Sequence, residues 1–187
     1  MRSPSLICTI VRSRLRRGRH CALPTDAAHR TAFNNNADSP VFVAVTNNGR
    51  IASSPSGVAG SWTVRQSASD TDTALWRVVY GGPAPGVWVA CGYYGDMQHM
   101  TGSGDGETWG TMNLPSGDPV RAMYGAANDG GNNWVTVGSG GYVWRSSDNA
   151  VSWTETRLAN SKGTYGTIID VAYDGAALRL CGVPGEV

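Results

Sequence analysis

One segment plan recurs about three times in this 187-residue chain, and few folds can accommodate it. Residues 76–81, 120–125 and 169–174 occupy equivalent slots. Each is followed by a second short apolar run, at 87–92, 134–138 and 178–182. Two of the three units then reach a Trp preceded by a polar turn, Trp109 and Trp153, and an incomplete unit upstream reaches Trp62 in the same way. Val89 and Val135 are 46 residues apart, and Trp109 and Trp153 are 44 apart. A period in the mid-forties built from short strands predicts the four-stranded blades of a β-propeller. Gly is abundant at 25 residues, which suits a turn-rich all-β chain rather than a helical one. The fold class is therefore all-β, with about three propeller-type blades that are incomplete or completed by another chain.

Charge divides the chain in two. Arg2, Arg12, Arg14, Arg16, Arg17, Arg19 and Arg30 all fall in the first thirty positions, where Asp26 is the only acid, so the remainder is mildly acidic. Residues 1–38 show neither the repeat nor strand alternation and are expected to form a basic, flexible arm. Residues 39–187 are expected to form the blades. Three uses of the arm stand open. It is a tail that contacts nucleic acid, an acidic protein surface or anionic lipid; an Arg-rich organelle presequence; or an extension of little function. The apolar run from Leu6 to Val11 is too short to span a bilayer, and no transmembrane segment is expected. Arg12 follows it directly, which argues against a secretory signal. Cys8, His20, Cys21 and His29 match no metal-ligand spacing, and neither a metal nor another cofactor is expected. Cys91 and Cys181 share one slot near the end of a second strand and are expected to be small buried hydrophobes.

Numbering strands outward from the channel, first strands are predicted at about 74–81, 119–125 and 167–173, and second strands at about 41–46, 87–92, 133–138 and 177–182. Third strands fall at about 49–54, 96–102 and 141–146, and fourth strands at about 61–66, 108–113 and 152–157. Asn47-Asn48-Gly49, Ser139-Gly140-Gly141 and Asp174-Gly175 supply residues that tolerate positive φ at tight turns.

The segment Ser146-Ser147-Asp148-Asn149-Ala150-Val151-Ser152-Trp153 resembles the Asp-box, or bacterial neuraminidase repeat, Ser-x-Asp-x-Gly-x-Thr-Trp, with Ala150 in the Gly slot and Ser152 in the Thr slot. The segment from Ser103 to Trp109, with Asp105, is similar but one residue short. The segment from Ser54 to Trp62 keeps the Trp and lacks the Asp. The resemblance covers about residues 41–182 and implies a sialidase-like propeller in which these boxes lie on the outer rim. Ser146, Asp148, Trp153, Asp105, Trp109 and Trp62 are accordingly expected to be structural. The carboxylate accepts backbone N–H groups of its own turn, and the indole seals the contact between blades.

The resemblance also implies what a catalytic member would need: an arginine triad, a Tyr–Glu nucleophile pair and an acid Asp. Glu107, Glu155 and Glu186 fall in a box turn, on an outer strand and in the terminal tail. No pair of carboxylates converges on one bond, no catalytic residue is assigned, and the chain is expected not to be an enzyme. The candidate ligand positions are Arg77, Arg121 and Asp170, each three residues before Tyr80, Tyr124 and Tyr173. Two arginines in one channel-lining slot would hold a carboxylate or sulfate. This resembles the repeated arginines of photosystem II assembly propellers. The plainer alternative is that they are solvated or pair with Asp170.

The predicted strands run three, four, four and two, so the opening unit lacks a first strand and the final unit supplies one. Exposed edges invite pairing, and a homodimer that completes the ring is one reading; an open blade stack or a truncated product is the other. The expected function is a structural or binding module with protein partners in a larger assembly. Gly-rich runs of the type Trp-Val-x-Val-Gly-Ser-Gly-Gly resemble phage tail, virion and bacterial surface proteins, so a virion or surface component is favoured. An organellar or membrane-complex assembly factor and a fragment of a glycosidase are the alternatives.

Overall fold

The computed structural model describes residues 28–34, 39–66, 74–93, 100–115, 122–159 and 163–183. They form three four-stranded antiparallel sheets and one two-stranded sheet. The first sheet runs β1 (Ala28–Phe33), β2 (Phe42–Thr46), β3 (Ile51–Ser54) and β4 (Thr63–Gln66). The second runs β5 (Ala74–Gly81), β6 (Val87–Tyr93), β7 (Met100–Ser103) and β8 (Trp109–Thr111). The third runs β9 (Met123–Asn128), β10 (Trp134–Gly138), β11 (Tyr142–Ser146) and β12 (Thr154–Arg157), and the last pairs β13 (Thr167–Tyr173) with β14 (Leu178–Val183). Each sheet is a meander whose order in space is its order in sequence. The chain is all-β with propeller-type blades.

The second strands explain why the sheets stack. Successive strand residues face opposite sides. In β6, Trp88 and Ala90 enter a cluster with Val43, Val45 and Ile51 of the first blade, while Val89 and Cys91 enter one with Trp134 and Trp144 of the third. A strand covered on both faces reads as a continuous apolar run rather than an alternating one, as this one does. The third cluster joins Val135, Val137 and Val143 to Ile168 and Val171 of the fourth blade. Trp109 packs against the first cluster and Trp153 lies in the second, each at the junction of its blade with the preceding one.

Three expectations are corrected. The opening blade is not short of a first strand: Ala28–Phe33, inside the segment expected to be an arm, pairs with β2. The complementary deficit that motivated closure by a second copy is therefore absent at this end. The first strand of the third blade lies at 123–128 rather than 119–125, because Val137 pairs with Gly125 and Gly138 with Met123. Cys91 is buried as expected, but Cys181 is exposed, since no described strand covers the outer side of the fourth sheet. Burial pushes the Cys91 thiol up to about 12, an effect the nearby Arg77 charge only partly offsets.

Candidate functional site

All four first strands carry a register irregularity at the same place. It lies between Ala28 and Arg30, between Leu75 and Arg77, at Tyr124, and between Ile168 and Asp170. A bulge of this kind adds one residue and re-aims the side chains beyond it. Arg30, Arg77, Gly125 and Asp170 are consequently the equivalent positions, opposite Val45, Cys91, Val137 and Cys181. The expected partner slot at Arg121 is four residues out of register and lies outside the described residues, while Arg30 joins the slot from the segment expected to be an arm.

The slot is bridged internally. The Arg77 guanidinium donates to the Asp170 carboxylate across 93 residues of sequence, from the second blade to the fourth. The third blade stands between them and contributes Gly125. A Cβ there would lie 2.9 Å from the Asp170 Cα and 2.9 Å from the Val171 nitrogen, so only glycine allows β13 this close to β9. Of the expected alternatives for Arg77, pairing with Asp170 is the one the geometry adopts. The bulge also turns Trp76 away from the face of Val78 and stacks it on Tyr124, with ring centroids 5.1 Å apart.

The tyrosines do not form a ring. Tyr80 donates to the Pro85 carbonyl at 2.7 Å and leans on Trp88, closing its own hairpin. Tyr124 occupies the bulge, and Tyr173 is exposed at the end of β13. The slot equivalent to Tyr80 and Tyr173 in the third blade holds Asn128. Asn128 takes the N–H groups of Gly82 at 2.9 Å and Gly130 at 2.8 Å, and donates to the carbonyls of Gly131 and Asn133. Asn128 thus clamps the second blade to the third. Only the turn-like Asn-Asp-Gly-Gly in the sequence pointed towards it.

The box turns of the second and third blades share a Ser-to-Asp wiring, and the first keeps only the Ser contacts. In the third blade, Ser146 Oγ donates to Asp148 Oδ1 at 2.7 Å and accepts the Ala150 N–H at 2.9 Å, while Asp148 accepts the Ser152 N–H at 2.9 Å and its hydroxyl at 2.5 Å. These bonds, led by the Ser152 hydroxyl, hold the Asp148 carboxyl down at about 2. Asn149 and Ala150 both adopt positive φ, 59° and 65°, the conformation the Gly slot demands. In the second blade, Asp105 accepts from the Ser103 hydroxyl and the Glu107 N–H, and Trp109 donates to the Gly106 carbonyl. In the first, Ser56 stands in the Asp position: Ser56 donates to Ser61, and Ser54 accepts the Gly57 N–H at 2.7 Å. Trp62 and Trp153 each stand one residue before the fourth strand that the sequence placed them inside.

Every acidic side chain among the described residues serves a bond of this kind. Glu107 pairs with Arg65 at 2.5 Å, and Glu155 accepts from the Trp144 indole at 3.0 Å. Asp129 accepts from Gly131 and Asn133, and Asp174 from Ala176, Ala177 and Arg179. Among the described residues no three His, Cys, Asp or Glu side chains gather as a metal site would require, and no helix is long and apolar enough to cross a membrane. Cys8, His20, Cys21, Glu186 and the rest of residues 1–27 lie outside the described residues.

No family profile and no curated protein matches the chain. Among solved structures, Chaetomium thermophilum Raptor is similar over 84% of this chain, with a TM-score of 0.57 and 14% identity; the match spans 15% of that chain. A humanized mutant of the Chaetomium thermophilum Polycomb Repressive Complex 2 bound to the inhibitor GSK343 matches 82% of this chain and 48% of its own, at 11% identity and a TM-score of 0.38. The likeness to Raptor is one of fold.

Proposed function

We propose that the chain is a non-enzymatic propeller-type module that binds protein partners within a larger assembly. One observation carries the non-enzymatic part of this reading: the described carboxylates are engaged by turns, indoles and arginines, and Arg77 and Asp170 neutralise each other where a ligand slot was expected. General acid–base work needs a carboxylate free to meet substrate; here the same groups hold backbone and blades in place. The hydrogen bonding of Ser146 and Asp148, with Trp153 packed in the core beside them, further supports membership of the Asp-box propellers. A virion or surface assembly is the finer reading, supported by the Gly-rich run from Trp134 to Gly141. The test is the state of the chain in its native source. Sedimentation should find it in particles of fixed stoichiometry. Recovery solely as a free monomer, or turnover of a sialoside by the purified chain, overturns the proposal.

A further inference from the structure

At the junction of the second and third blades the outer rim opens into a groove of about 410 Å³. Both of its walls belong to described parts of this chain: the outer half of the second sheet, through Thr101, Gly110 and Thr111, and the box turn of the third blade, through Ala150 and Val151. The first junction shows why this one is open. By strand register and by distance from the box Trp, Ser53 corresponds to Thr101, Thr63 to Gly110, Arg65 to Met112 and Glu107 to Val151. Arg65 lies across the first junction, donating to Ser53 at 2.8 Å and to Glu107 of the facing turn at 2.5 Å, and this pair closes the rim. At the second junction both halves of the pair are replaced. Met112 is buried in the core between the blades, and Val151 stands 67% exposed. Gly110 adds no side chain, and a Cβ there would meet nothing within 4 Å.

The lining selects the chemistry of the occupant. Among the described residues no charged side chain and no aromatic ring borders the groove, so it offers neither the cation that grips a phosphate or carboxylate nor the platform on which a nucleobase stacks. The side chains of Thr101, Thr108, Thr111 and Asn113 border it and make no hydrogen bond to a described residue, and each can both donate and accept. Val87, Ala150 and Val151 form an apolar corner beside them. The volume falls within the roughly 300–1,000 Å³ of small-ligand sites. We infer that the groove binds an uncharged sugar of one or two rings that carries an acetamido group. The threonine hydroxyls and the Asn113 amide meet the sugar hydroxyls, the bare backbone at Gly110 lets a ring lie flat, and the acetamido methyl rests on the valine and alanine corner. The site lies on the rim, apart from the Arg77–Asp170 slot, and stands independently of the protein-partner reading.

The probe is N,N′-diacetylchitobiose, titrated onto the full chain and followed by calorimetry and ligand-observed NMR. Saturable binding at one site per chain is expected, with a dissociation constant on the order of 1 mM and the strongest saturation transfer at the acetamido methyls. Cellobiose, which keeps the two rings and lacks the acetamido groups, should bind more weakly. G110Y fills the groove and should abolish binding. T111V and N113A should each weaken it about three- to tenfold, as for one lost hydrogen bond. All three positions are exposed, and unchanged thermal midpoints check that the variants fold. Absence of binding, equal binding of the two disaccharides, or binding that survives G110Y overturns the inference. So does capture of a neutral asparagine tripeptide in place of the sugar, which would assign the groove to a peptide. Neither result bears on the sedimentation test of the assembly reading.

Discussion

At the scale of single residues, the molecule invests its polar groups in turns. Asp148 is the clearest case. Its folded value of about 2 lies below the ordinary 3.8, so the folded state holds its proton less tightly than the unfolded one. The stabilisation is complete above about pH 4 and is lost as pH falls towards 2. Asp105, Asp129 and Asp174 shift in the same direction for similar reasons, led respectively by the Ser103 hydroxyl, the Asn133 amide and the Ala177 N–H. The thermal midpoint should therefore fall between pH 4 and 2.5, and D148N should start lower and fall less; calorimetry at the two pH values decides this. Ser146 is buried and receives the buried Ala150 N–H. S146A leaves that donor without its partner and should cost about 1–3 kcal/mol in urea unfolding. The sequence made both roles legible, because Ser-x-Asp is a local motif whose bonds close within seven residues. Asn128 was not legible, since one of its four hydrogen bonds, the one that joins the two blades, comes from a loop 46 positions away.

At the scale of elements, strand existence was readable and strand register was not. Apolar runs of five or six residues located β6, β10 and β13 closely. The register of the third blade's first strand was misplaced by four because Val120-Arg121-Ala122-Met123-Tyr124-Gly125 repeats the Arg, Tyr and Gly of Trp76-Arg77-Val78-Val79-Tyr80-Gly81 at the same spacing. What decides between the two alignments is a bulge, and a bulge is set by which side chains find the core rather than by local pattern. Met123 wins that contest: it is fully buried against the second blade. Gly125 then falls where β13 passes closest. G125A should force β13 outward and destabilise the last blade selectively. Hydrogen exchange should speed up at 167–173 and 178–183 while β2 and β6 stay protected; uniform loss across all blades would contradict this selectivity.

At the scale of the whole molecule, the blades hold one another through faces rather than through a separate centre. Each interior sheet contributes one side of its second strand to each neighbour, so cohesion passes from blade to blade. The Arg77–Asp170 pair is the exception, a direct tie between blades that are not adjacent. The Arg77 side chain is 25% exposed and that of Asp170 50%, so screening limits the tie to about 0–1 kcal/mol. A double-mutant cycle with R77M and D170N should return a coupling in that range that shrinks with added salt. The sequence offered both residues as a shared slot and left pairing as one option; the missing information was Gly125, whose absent side chain opens the path between them.

The extra residue at one fixed place in each described inner strand has a further consequence. It marks a boundary at which any unit can be cut and joined to any other without changing the parity of the residues beyond it. Exchange, loss or duplication of material at that point preserves which side chains meet the neighbouring sheet. A chain organised in this way can grow or shrink by whole cassettes while its interior chemistry stays in phase.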